Sequence, residues 1–70
     1  MRRRRARVLT GAGAELAAVV AGWREAAARG DPAAAARLAS GESWLAMLRD
    51  CGYDEQVAEL FLAFARGPAL

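Results

Sequence analysis

The sequence predicts an all-α fold, a small bundle of three to four helices that follows a flexible basic N-terminal leader. The hydrophobic fraction is 56%, and nearly half of it is alanine, the residue with the highest helix propensity. The β-branched residues typical of strands are scarce, since the chain has no isoleucine and one threonine. Large apolar residues also recur at helical spacing between glycines and prolines that mark helix ends.

A chain of 70 residues provides one small domain with a marginal core. We assign residues 1–7 to a disordered arginine-rich leader and residues 8–70 to the helical bundle. Few side chains are large enough to fill its core. The predicted core residues are Leu9, Leu16, Val19, Val20, Trp23, Leu38, Trp44, Leu45, Met47, Leu48, Val57, Leu60, Phe61, Leu62 and Phe64.

The first helix is expected to begin near Thr10, a usable N-cap, and to end at Arg29. Gly30 follows in the C′ position, where a left-handed backbone closes a helix. Within the helix, Leu16 and Trp23 belong to a single apolar stripe that should face the core.

Asp31 and Pro32 predict the start of a second helix, because aspartate caps free amides and proline at the first helical position needs no donor. This helix is expected to stop near Ser40 and Gly41, after about two turns. Leu38 is its one large apolar residue, so we interpret it as a spacer that turns the chain.

A third helix is expected over residues 42–51, and Gly52 should end it. Tyr53 can then pack on the first turn of a fourth helix, for which Asp54 is the N-cap. The fourth helix is expected to run to Arg66, just before a Gly-Pro pair.

The fourth helix has more apolar surface than one neighbour normally covers, with an arc of roughly 200°. Surplus apolar surface on a small protein usually marks a binding site. We therefore expect a partner-binding face on the outer side of the third and fourth helices. Its predicted residues are Leu45, Ala58, Leu62 and Ala65.

Charge divides the chain into a basic leader and an acidic remainder. The arginines of the leader are Arg2, Arg3, Arg4, Arg5 and Arg7. Residues 8–70 contain five arginines against eight acidic residues, a net charge of −3. The leader could neutralise phosphates, so the alternative function is a nucleic-acid-associated accessory protein tethered by this run. A solvated tail explains the same run without a ligand, since no aromatic residue is interleaved for base stacking.

The residue types that most often carry catalysis are missing. With no histidine and no lysine, the chain lacks the usual general base and Schiff-base amine. Cys51 shares a stripe with Trp44, and we expect a small buried hydrophobe there. Gly11 and Gly13 lack the third glycine and the preceding strand of a dinucleotide-binding turn, so they predict only a glycine-softened helix start. No spacing predicts a metal site. We expect no enzymatic activity, cofactor, metal or small-molecule substrate.

The expected location is the cytoplasm, because a lone cysteine cannot form an internal disulfide. No run of about 20 apolar residues predicts a membrane span. The leading hypothesis is therefore a small protein-binding module, an adaptor, accessory subunit or regulator. It would bind another protein, or a second copy of itself as a homo-oligomer, through its C-terminal helices.

Overall fold

The computed structural model describes residues 11–67, and three α-helices account for most of this range. Helix α1 spans Gly11–Ala28, α2 spans Pro32–Asp50 and α3 spans Glu55–Arg66. No strand occurs between residues 11 and 67, so the all-α class is confirmed. The leader assigned to residues 1–7 lies outside the described residues, as do Leu9 and Thr10.

The second and third predicted helices are one continuous helix, because α2 passes through Gly41 without a break. Gly41 is buried, and a Cβ atom built on it would lie 2.7 Å from Val20 Cγ2 and 3.0 Å from the Trp23 ring. This glycine therefore lets α1 and α2 approach closely. The prediction that it ends a helix is wrong, since a glycine inside a helix costs only about 1 kcal/mol, which favourable packing readily offsets.

Both helix connections close with the same hydrogen-bonding pattern. After α1, the Gly30 N–H donates to the Ala27 carbonyl at 3.0 Å, and the Asp31 N–H donates to the Ala26 carbonyl at 3.1 Å. This is a Schellman motif, and the φ of 99° at Gly30 is the left-handed conformation that it requires. The predicted C′ position of Gly30 is confirmed.

The motif recurs after α2, where the Gly52 N–H donates to the Arg49 carbonyl at 3.0 Å and the Tyr53 N–H donates to the Leu48 carbonyl at 2.8 Å. Gly52 has a φ of 76°. Tyr53 also has a positive φ, 62°, which is rare for a bulky side chain. Its side chain is partly buried and packs against the hydrophobic core.

Aspartates cap the two helices that follow these turns, as predicted. One side-chain oxygen accepts the amides two and three residues later, at 3.0 and 3.3 Å for Asp31 and at 2.9 and 3.4 Å for Asp54. Pro32 occupies the first helical position of α2. Local chemistry thus sets where α2 and α3 begin.

Glu55 connects the N-termini of two helices. It is the first residue of α3, and its Oε2 also accepts the Ala12 N–H of α1 at 2.8 Å. Gly11 has a φ of 59°, and a Cβ atom on it would collide with this carboxylate. The glycine-softened start of α1 is therefore a site of close approach, where a carboxylate satisfies one free amide of the helix.

The hydrophobic core lies where the three helices meet. Leu16, Val20 and Leu48 are completely buried, and Phe61 and Leu62 of α3 close the cluster over them. Both α2 and α3 pack mainly on α1 and touch each other much less, so α1 is the central element. Three expected core residues are instead exposed, namely Met47, Leu60 and Phe64.

The helices differ in length, and this divides the molecule into two ends. At 1.5 Å per residue, α2 is about 28 Å long and α3 about 18 Å. The short turn at residues 51–54 brings the start of α3 to the end of α2, so α3 covers only the later part of α2. We call residues 24–39, none of which belongs to the buried core cluster, the two-helix end, and the rest of the described chain the three-helix end.

Candidate binding surface

The face predicted to bind a partner is largely internal. Ala58 is 1% exposed and Leu62 is 6% exposed, and both belong to the core. Leu45 and Ala65 are half-buried and pack against it. The expectation of an outer surface is therefore wrong for Ala58 and Leu62, because the small Ala58 allows α3 to pack closely on α1 with this side inward.

The opposite half of the apolar arc of α3 is the one that faces solvent. Leu60 and Phe64, one turn apart, are 55% and 62% exposed. On α2, Met47 is 50% exposed and lies one turn after the half-buried Trp44. The rings of Trp44 and Phe64 lie 6.2 Å apart and connect the two helices. We call Trp44, Met47, Leu60 and Phe64 the apolar surface.

Trp44 is held in place by other aromatic rings. It stacks on the buried Phe61 with ring centroids 5.7 Å apart and an interplanar angle of 8°. Trp23 of α1 lies on another side, at 6.5 Å and 59°. These separations are within the range at which aromatic pairs attract one another. Trp44 therefore has a fixed position within the apolar surface, because its ring packs on the core.

A groove of about 400 Å³ adjoins the apolar surface at the point where α3 ends. Its aromatic walls are Trp23, Trp44 and Phe64. The polar groups of its lining belong to Arg37, Ser40 and Arg66, and the other lining residues are Ala36, Ala65 and Gly67. Phe64, Ala65 and Arg66 of the last turn of α3 form one side of the groove.

The charged side chains of this groove are both arginines. The Arg66 guanidinium lies 3.4 Å from the Glu15 carboxylate, and both side chains are about 60% exposed. Arg37 is exposed and forms no ion pair with another residue in the range 11–67. Two guanidinium groups therefore stand beside three aromatic rings, an arrangement suited to a ligand with acidic and apolar parts.

The remaining candidate groups are placed elsewhere. Cys51 is free and exposed, so the expectation of a buried hydrophobe is wrong; it is the C-cap of α2, past the last residue of the helix. No group of histidine, cysteine or carboxylate side chains within residues 11–67 could hold a metal ion. Arg2, Arg3, Arg4, Arg5 and Arg7 lie outside the described residues.

No family model, curated protein or solved structure matches this chain. None of the helices in the described part is long and apolar enough to cross a membrane. The apolar surface and the groove are therefore the features of the molecule from which a function can be inferred.

Proposed function

We propose that this protein is a small binding module, an adaptor, accessory subunit or regulator, that holds a partner protein on its apolar surface. The observation that carries the proposal is the exposure of Met47, Leu60 and Phe64 beside Trp44. A small domain needs most of its large apolar side chains to form its core. An exposed apolar patch on such a domain therefore marks an interaction site.

The composition of the surface suits protein recognition. Tryptophan is among the residues that contribute most to interface affinity, and Trp44 is already fixed on Phe61, so little side-chain freedom is lost on binding. Met47 is flexible and adapts to the shape of a partner. Leu60 and Phe64 are 55% and 62% exposed, so covering the exposed part of either side chain would contribute roughly 1–2 kcal/mol.

We assign the module a binding role in the cytoplasm and no catalytic activity. A single free cysteine supports a reducing compartment, and the absence of histidine and lysine from the sequence supports binding over catalysis. The nucleic-acid alternative stays a prediction about the leader. The bundle itself does not favour it, since residues 11–67 contain five arginines and eight acidic residues.

A double variant, Leu60→Glu with Phe64→Glu, tests the proposal. Both positions are more than half exposed, so the variant should keep its helical circular dichroism spectrum. Its thermal midpoint should fall only slightly, because the contact of the Phe64 ring with Trp44 is lost. The matched control is Ala14→Glu with Ala18→Glu, an exposed pair at the same spacing on α1. Affinity capture from the native host, followed by mass spectrometry, compares both variants with the unmodified protein.

We expect the unmodified protein and the α1 control to retain the same partner, and the α3 variant to lose it. Retention of that partner by the α3 variant would refute the proposed surface. Loss of helical signal in the α3 variant would show that Leu60 and Phe64 stabilise the bundle, which would also remove them from the proposal.

A further inference from the structure

We propose that the groove receives an acidic segment of the partner, in which aspartate or glutamate flanks one large apolar side chain. This inference rests on the proposed function and names the chemistry of the partner. It commits to a peptide segment because the groove joins the apolar surface through Trp44 and Phe64, which belong to both.

The distribution of charge supports an acidic ligand. Residues 11–67 contain five arginines and eight acidic residues. Two of the arginines line the groove, and none of the acidic residues does. The groove is therefore a local basic site on an acidic domain, and it should repel cationic segments while attracting anionic ones.

Both guanidinium groups can form an ion pair with a carboxylate of the partner. Arg37 is exposed and has no ion pair within the described range, and Arg66 has an exposed pair with Glu15 at 3.4 Å. Exposed pairs of this kind contribute little stability, so a carboxylate of the partner can replace Glu15 readily. The planar fork of arginine matches the two oxygens of a carboxylate.

The size and walls of the groove support a single apolar anchor. Its volume of about 400 Å³ lies near the lower end of the roughly 300–1,000 Å³ typical of ligand pockets. Such a space accommodates one large side chain and the backbone beside it, and it is too small for a whole helix. Trp23, Trp44 and Phe64 provide rings on which an aliphatic or aromatic side chain can pack.

The test uses the two tryptophans as reporters, since both line the groove and the chain has no others. The probe is the capped peptide acetyl-Glu-Asp-Ala-Phe-Asp-Glu-amide, which has one large apolar side chain and is titrated into the ¹⁵N-labelled protein. Two further peptides test the charge and the apolar side chain separately. One has glutamine and asparagine in place of the acidic residues, and the other has alanine in place of phenylalanine.

We expect the acidic peptide with phenylalanine to shift both indole N–H resonances, and both altered peptides to bind more weakly. Binding should weaken as salt rises from about 50 to about 300 mM. Arg37→Gln should weaken it about three- to fivefold. The matched control, Arg49→Gln, removes an exposed arginine from the same helix outside the groove and should leave affinity unchanged.

If the neutral peptide binds as tightly as the acidic one, or if the two arginine variants have equal effects, the partner segment is not acidic and the inference is wrong. The groove would then still be a site for protein binding. Equally tight binding of 3-phenylpropanoate would assign the groove to a small carboxylate and overturn the peptide. A concentration-dependent dimer in light scattering, with its Trp23 and Trp44 resonances unaffected by the peptide, would assign the site to a second copy of the chain. If no peptide shifts either resonance, the inference fails, whereas the proposed function is judged separately by the Leu60→Glu, Phe64→Glu variant.

Discussion

The two ends of the molecule are held together in different ways. The three-helix end buries Leu16, Val20 and Leu48 completely under α3. At the two-helix end the buried apolar residue is Ala34, and the turn through Gly30 closes the helix pair. Small side chains let two helices approach closely, but they provide little apolar area for a third helix to cover. The groove lies at the border between these two modes of packing.

The largest effect should come from the three-helix end. Leu16→Ala leaves a cavity in the centre of the core and should lower the free energy of unfolding by about 2–5 kcal/mol. Typical stabilities of roughly 0.05–0.15 kcal/mol per residue correspond to about 3.5–10 kcal/mol for 70 residues, so this loss is a large share of the total. We expect a much lower urea midpoint at 25 °C, measured by circular dichroism and urea titration.

The matched change at the two-helix end is Ala34→Gly, which also shortens a buried apolar side chain. We expect a loss of about 1 kcal/mol, mainly from helix propensity. If Ala34→Gly were as damaging as Leu16→Ala, stability would not be concentrated under α3 and the contrast between the ends would be wrong.

The next effect concerns the contact between α1 and α2. Gly41→Ala gains about 1 kcal/mol of helix propensity but places a methyl group against Val20 and Trp23, and such overpacking costs about 1–3 kcal/mol. Gly22→Ala is the control, because it lies inside α1 with no atom within 4 Å of an added Cβ. We expect Gly41→Ala to lower the thermal midpoint and Gly22→Ala to raise it. A rise in both would contradict the close approach of the two helices.

Local chemistry made part of this fold predictable from the sequence. Asp31, Asp54, Gly30 and Gly52 act within a few residues of themselves, and all four have the predicted positions. Gly41 was misinterpreted because its reason for being glycine lies on another helix, about 20 residues away in the chain. A pattern of apolar spacing cannot distinguish a glycine that ends a helix from one that packs against a neighbour.

The binding surface was less predictable for a related reason. The wide apolar arc of α3 indicated surplus surface, but both halves of the arc are apolar, and hydrophobic periodicity alone does not select the inward half. Packing selects the side with Ala58 and Leu62, leaving Leu60 and Phe64 outside. The groove depends further on α2 being longer than α3, which follows from the same helix continuing through Gly41.

A smaller effect is expected from the two caps. Asp54→Ala should lower stability by about 1 kcal/mol, because α3 is short and brings Phe61 and Leu62 to the core. Asp31→Ala should cost about 0.5 kcal/mol, since fraying at the start of α2 exposes mainly alanine. Urea titration of both variants, with hydrogen exchange at residues 33–36, separates global loss from local fraying. If Asp31→Ala lowered stability more than Asp54→Ala, the two-helix end would contribute more to stability than the three-helix end, contrary to our interpretation.

The smallest effect should come from the ion pair beside the border between the ends. The Arg24 guanidinium of α1 lies 2.7 Å from the Glu42 carboxylate of α2, a short distance, but both side chains are more than half exposed. Solvent and salt screen such pairs, so a double-mutant cycle with Arg24→Gln and Glu42→Gln should give a coupling of about 0.2–0.5 kcal/mol. It should fall further when salt is raised to about 1 M.

A coupling above about 1 kcal/mol would mean that charge, and not the contact of Gly41 with Val20 and Trp23, holds α2 against α1. In that case Gly41→Ala and the ion-pair variants should show strongly non-additive losses, because each would loosen the same helix contact.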